Sequence, residues 1–107
     1  MQGHALISLD DSQIGRILSA PGLSVVLLTS RWDGNGVILR TIMDRLAASH
    51  PGVGFCVADT EDSPQLARLF NLTRPPGILF VKEGELVGRV DGPASAGELR
   101  DYINKYA

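Results

Sequence analysis

The sequence predicts an α/β domain in the order βαβαβαββα, with a central mixed sheet flanked by helices, and three observations predict it. Apolar runs of strand length alternate with stretches whose apolar residues recur at helical spacing. Capping residues or Pro-Gly breaks mark the changeovers. The last two strand-like runs are separated only by Glu83-Gly84, too short for a crossover helix, so a sheet that begins parallel ends in an antiparallel hairpin.

"ALISL" reads as a short first strand. Asp10, Asp11 or Ser12 can cap a helix whose apolar face is Ile14, Ile17 and Leu18, stopped before Pro21-Gly22. Residues 24–29 form a near-continuous apolar run, the pattern of a strand buried on both faces. The next helix sets Ile38, Leu39, Ile42, Met43 and Leu46 on one side and stops at His50-Pro51-Gly52. "GFCVA" is the third strand. In "DSPQLARLF" Ser63 is the expected N-cap and Pro64 the first helical residue, with Leu66, Leu69 and Phe70 as the buried stripe. After Pro75-Pro76-Gly77 come the strands "ILFVK" and "ELVGRV". Ser95 and Glu98 then form a capping box on a helix burying Leu99, Tyr102, Ile103 and Tyr106.

With 107 residues the chain is read as one domain, residues 1–107, large enough to bury its own core. Ten Lys and Arg are scattered among twelve Asp and Glu, for a net charge of -2, which argues against a nucleic-acid surface. No apolar run approaches the ~20 residues of a membrane span, and the expected location is the cytoplasm. Cys56 is the single cysteine. Dithiol chemistry within one chain is therefore excluded, and Cys56, inside the apolar run "VGFCVAD", reads as a small buried hydrophobe.

The loop "RWDGNG" and the segment "NLTRPPGILFVKEGELVGRVDG" carry a resemblance. Trp32-Asp33-Gly34-Asn35-Gly36 is similar to the Trp-Cys-Gly-Pro-Cys signature of thioredoxins, with Trp32 and Gly34 kept and Asp33, Asn35 and Gly36 standing for Cys, Pro and Cys. The second segment resembles the thioredoxin stretch with a cis-proline, a hairpin and a glycine, with Pro76 and Gly92 in those places. The resemblance implies the thioredoxin fold over nearly the whole chain and a cis peptide before Pro76. In the same register, the aspartate and lysine that thioredoxins bury beneath the dithiol correspond to Leu27 and Val57, and neither can move a proton.

Several readings attach to these residues. Asp33 at a helix N-terminus is a cap, gaining about 0.3–1 kcal/mol from the helix dipole, or a fixed negative charge where the family has a thiolate. "DGNG" fails as a calcium loop, because its fifth, sixth and twelfth positions are Val37, Ile38 and Asp44. No cofactor or metal is expected. His4 and His50 read as surface residues near element ends. Trp32 is an interface anchor or a lid on its own loop. Pro75 has no N–H, so the two-way backbone pairing that thioredoxins offer an extended substrate before the cis-proline is unavailable.

The expected binding face is Trp32, Asp33, Gly34, Asn35, Gly36, Pro75, Pro76, Gly77, Gly92 and Pro93. The leading expectation is a redox-inactive, chaperone-like or accessory module that binds another protein or a peptide segment, similar in kind to the cysteine-less thioredoxin-like chaperones, including hydrogenase-maturation accessory proteins. The alternatives are a single-thiol redox protein using Cys56 and a structural domain that forms a homodimer through the same face.

Overall fold

The structure, a computed structural model, describes residues 6–30, 33–72 and 75–107. Its elements are β1 (Ile7–Leu9), a 3-10 turn (Asp11–Gln13), α1 (Ile14–Ser19), β2 (Leu23–Thr29), α2 (Gly34–Ser49), β3 (Gly54–Asp59), α3 (Pro64–Leu69), β4 (Gly77–Lys82), β5 (Glu85–Asp91) and α4 (Ala96–Tyr106). This is the expected order of strands and helices. The five strands lie in the order β1-β3-β2-β4-β5. β1 and β2 run parallel to β3, while β4 is antiparallel to both β2 and β5. The sheet is mixed because β4 runs against β2, and the Glu83-Gly84 hairpin then turns β5 against β4. Both residues have positive φ, 51° and 80°, as a two-residue turn that follows the strand twist requires.

All seven residues of β2 are buried, which explains a run with no alternation: the strand is central and covered on both faces. Val25 and Leu27 face a core shared with Leu39, Met43 and Leu46 of α2 and with Leu99 and Ile103 of α4. Val26 and Leu28 face the opposite layer, with Ile17 of α1 and with Leu66 and Phe70. Each such side chain, withdrawn from water, contributes about 1.5–3 kcal/mol. Phe80 of β4 stacks on Tyr102 with ring centroids 4.9 Å apart, which fixes α4 against the sheet.

Three apolar assignments change. Ile38 is 59% exposed, because α2 buries Gly36, Leu39, Met43, Leu46 and Ala47, and in the run Val37-Ile38-Leu39 only the last lies on that face. Leu69 is 51% exposed: α3 has six residues and ends there, and its inward residue is Leu66. Leu18 is likewise exposed at the end of α1, whose inward residue is Ile17. The caps differ in one case. Asp10 and Gln13 form a capping box before α1, and Ser95 and Glu98 form the expected one on α4. The Ser63 hydroxyl, however, does not cap α3; it donates to the Leu9 carbonyl at 3.5 Å. The Asp11 carboxylate caps that helix from across the fold, accepting from the Gln65 N–H (3.1 Å) and the Leu66 N–H (3.0 Å).

Candidate functional site

The C-terminal end of β2 delivers the chain to the start of α2, and the start of β4 lies beside it because β2 and β4 pair antiparallel, with Leu28 opposite Gly77. This places the residues after Trp32 next to the Pro75-Pro76 pair. Trp32 itself lies outside the described residues.

Asp33 is the N-cap of α2. Its extended backbone (φ -96°, ψ 113°) lets a carboxylate oxygen accept from the Asn35 N–H at 2.9 Å. Its carbonyl accepts from the Gly36 N–H at 3.0 Å, and its own N–H donates to the Ser30 carbonyl at 3.0 Å. "DGNG" is thus a capped helix start, Asn35 already being in the first turn. The carboxylate sits where the resemblance puts a thiol and serves as a cap.

The Pro75–Pro76 peptide is cis, as the resemblance implies. The Gly92 N–H donates to the Pro76 carbonyl at 2.8 Å, tying the end of β5 to this turn. Gly92 has φ +92°, a conformation open to glycine and strained for other residues. Asn35, Pro75, Pro76, Asp91, Gly92 and Pro93 together line a groove of about 380 Å³. Pro75 and Pro93 are exposed at its walls and Pro76 is buried beneath them.

Two expected members of the face point inward. Gly36 is buried, and a Cβ there would overlap the Thr29 hydroxyl. Gly77 is buried at the start of β4, with the Leu72 side chain where its Cβ would stand. Both let backbone approach a neighbour, and neither presents a surface to a partner. Gly34 is exposed but does not line the groove.

Residues outside the expected list complete the site. Arg89 reaches from β5 to the Phe70 carbonyl (2.6 Å) and grips Asp91 through Nε (3.2 Å) and Nη2 (2.9 Å). It therefore ties the groove wall at Asp91 to the end of α3 and offsets the charge of that wall. Only the Arg89-x-Asp91 spacing on one strand hinted at this in the sequence. Val37 and Ile38 are exposed in the opening turns of α2. Ile38 follows Asn35 by three residues and so shares its side of the helix.

The chemistry beneath the face is absent. Leu27 and Val57 are register partners across β2 and β3, 0% and 4% exposed, so the two places the resemblance gives to a proton relay touch as a hydrocarbon pair. Cys56 is buried on the other side of the sheet, in the layer with Ile17 and Leu66. Burial pushes its thiol up from the ordinary value of 9.0, against a smaller opposing effect of the Arg16 charge. Among the described residues no group of three His, Cys, Asp or Glu is placed to hold a metal ion, and no helix is long and apolar enough to cross a membrane.

The fold is that of thioredoxins. A mutant thioredoxin from Halobacterium salinarum superposes with a TM-score of 0.89 over 99% of this chain and 94% of that one, at 18% identity. Mitochondrial thioredoxin 3 from Saccharomyces cerevisiae gives 0.86 over 97% and 99%, at 21% identity. In sequence the chain is similar to glutaredoxin-3 of Mus musculus, 30% identical over 89 residues, 83% of this chain and 26% of that protein. It is also similar to thioredoxin H8 of Arabidopsis thaliana, 30% identical over 95 residues, 89% of this chain and 64% of that protein. The chain thus spans about a quarter of the glutaredoxin-3 length. The family model described as "Hydrogenase-1 expression protein HyaE" matches residues 1–99, and the chain, thioredoxin-like and without the Cys-x-x-Cys motif, belongs to that family.

Proposed function

We propose that this chain is a redox-inactive, chaperone-like accessory protein that binds another protein, a hydrogenase subunit or its precursor, through the groove between the start of α2 and the Pro75-Pro76 turn. The observation that carries this reading is the groove itself. It keeps the place where thioredoxins meet their substrates, but it is walled by Pro75, Pro76 and Pro93 with an Asp33 cap where a thiol would stand. Leu27 and Val57 below it are apolar. Proline rings and the exposed Ile38 offer flat apolar contact, and Asn35 offers a side-chain amide, a mixture suited to packing against a partner. The family description, expression of a hydrogenase, supplies the class of partner. A free thiol with no disulfide suits work in the reducing cytoplasm.

The single-thiol alternative requires a reachable thiolate, and Cys56 is buried with its thiol pushed up by that burial. Complementation separates the readings. In a strain lacking this gene, Cys56→Ser is expected to restore hydrogenase activity as the native chain does, while Ile38→Asp combined with Asn35→Arg fails and no longer co-purifies with hydrogenase subunits. Full activity of the groove variant, or loss with Cys56→Ser in a folded protein, would reverse the assignment.

A further inference from the structure

The groove between α2 and the Pro75-Pro76 turn is short of hydrogen-bond donors. Of its lining residues, Pro75, Pro76 and Pro93 have no N–H. The Gly92 N–H is spent on the Pro76 carbonyl, and the backbone N–H of Asn35 on the Asp33 carboxylate. Asn35 is exposed, and its side-chain amide bonds no group among the described residues. On the α2 wall that amide is therefore the free donor, with a carbonyl acceptor beside it.

The wall at β5 offers an acceptor whose charge is already offset. Two bonds from Arg89, Nε at 3.2 Å and Nη2 at 2.9 Å, both end on Oδ1 of Asp91. The third, from Nη1 to the Phe70 carbonyl at 2.6 Å, holds the guanidinium in place. Asp91 Oδ2 bonds no group among the described residues, and the side chain is 61% exposed. An open oxygen beside a fixed guanidinium suits a neutral N–H, because a second cation would meet the charge of Arg89.

A donor on one wall and an acceptor on the other complement one residue of an extended chain, whose C=O and N–H point to the same side. We propose that the groove takes an uncharged, extended segment of the partner by its backbone, Asn35 Nδ2 donating to a partner carbonyl and Asp91 Oδ2 accepting from the N–H of the same residue. The exposed rings of Pro75 and Pro93 then meet the side chains on either side of it. The inference rests on the groove being the partner-binding face, and it gives Asn35 the donor role that Pro75 cannot fill.

The probe is the neutral peptide acetyl-Ser-Val-Thr-Val-Ser-amide, titrated into the full chain and followed by amide NMR. Saturable shifts of Asn35, Asp91 and Gly92 are expected at millimolar concentration. The same peptide N-methylated at its three central residues should bind at least about tenfold more weakly, the loss expected when a hydrogen-bond partner is removed. Asn35→Asp keeps the shape but removes the donor, and should weaken the parent peptide about tenfold, whereas Asn35→Gln keeps the amide and should stay within about threefold. A peptide with lysine at its centre should bind no more tightly than the parent. Shifts that never saturate, equal binding of the N-methylated peptide, native affinity in Asn35→Asp, or a clear preference for the lysine peptide would each overturn the proposal. Co-purification with hydrogenase subunits separates the two readings. Subunits retained by an Asn35→Asp variant that has lost the peptide overturn the accessory role and leave the pairing standing, and subunits lost by a variant that still binds the peptide do the reverse.

Discussion

Gly36 and Thr29 stand so close that the hydroxyl of the threonine occupies the place a Cβ on the glycine would take. Thr29 ends β2 and Gly36 lies in the first turn of α2, so the contact sets how tightly the helix approaches the strand beneath the groove. In a free helix, Gly→Ala would gain about 1 kcal/mol. Here Gly36→Ala is expected to cost about 1–3 kcal/mol, the range for overpacking a filled site. Thr29→Ala should recover most of that loss in the double mutant. A cycle of urea denaturations showing additive effects would contradict the contact.

The same contact governs any attempt to restore thioredoxin chemistry. Asp33→Cys removes the cap of α2, at about 1 kcal/mol, and Gly36→Cys places a side chain against Thr29. The double variant is therefore expected to be markedly destabilised, and adding Thr29→Ala should allow a stable disulfide to form under oxidant. Turnover in insulin reduction should stay far below that of a thioredoxin, because Leu27 and Val57 still provide no proton relay and Pro75 no N–H. Turnover at the thioredoxin level would show that these groups are dispensable.

The order of elements was legible because their signals are local: the apolar run of β2, the turn at Glu83-Gly84 and the Ser95/Glu98 box each lie within a few residues. The resemblance supplied the cis peptide and the placing of Leu27 and Val57. What escaped were relationships that depend on tertiary approach. Asp11 caps α3 from more than fifty positions away, and no spacing rule predicts that. Gly36 and Gly77 read as surface loop residues, but they are glycines because Thr29 and Leu72 fill their side-chain space. Ile38 fits an apolar stripe by spacing, yet the buried face of α2 is fixed by Gly36, a residue that carries no hydrophobic signal.

Cys56 makes stability depend on alkaline pH. Burial holds the folded-state thiol above its ordinary value of 9.0, so the folded chain keeps its proton where the unfolded chain has lost it. The contribution is present below pH 9 and is lost as pH rises from there through the folded value. Native protein is expected to lose stability over that range more steeply than Cys56→Ala, compared as urea midpoints between pH 8 and 10.5. Thiol modification at pH 7.5 should be slow until denaturant is added, and slower still in Arg16→Gln, which removes the charge that favours the thiolate. Parallel pH profiles for the two proteins would contradict this account.

Asn35-Gly36 is the sequence most prone to deamidation in a mobile loop, since the glycine N–H is unhindered and attacks the preceding amide carbon. Here that nitrogen is engaged: the Gly36 N–H donates to the Asp33 carbonyl at 3.0 Å, Asn35 is held in the first turn of α2 by its own N–H on the Asp33 carboxylate, and Gly36 is wedged against Thr29. The ring-closing geometry requires the Gly36 nitrogen to swing toward the Asn35 side chain, which breaks the opening turn of the helix. Deamidation of the native chain should therefore run well below the rate of an unfolded peptide of the same sequence. Asp33→Ala, which removes the cap and lets the turn fray, should speed it several-fold at unchanged global fold. Peptide mapping after incubation at pH 8 and 37 °C reads both rates. Equal rates in the native chain and the free peptide would mean that the cap does not hold this turn closed in solution.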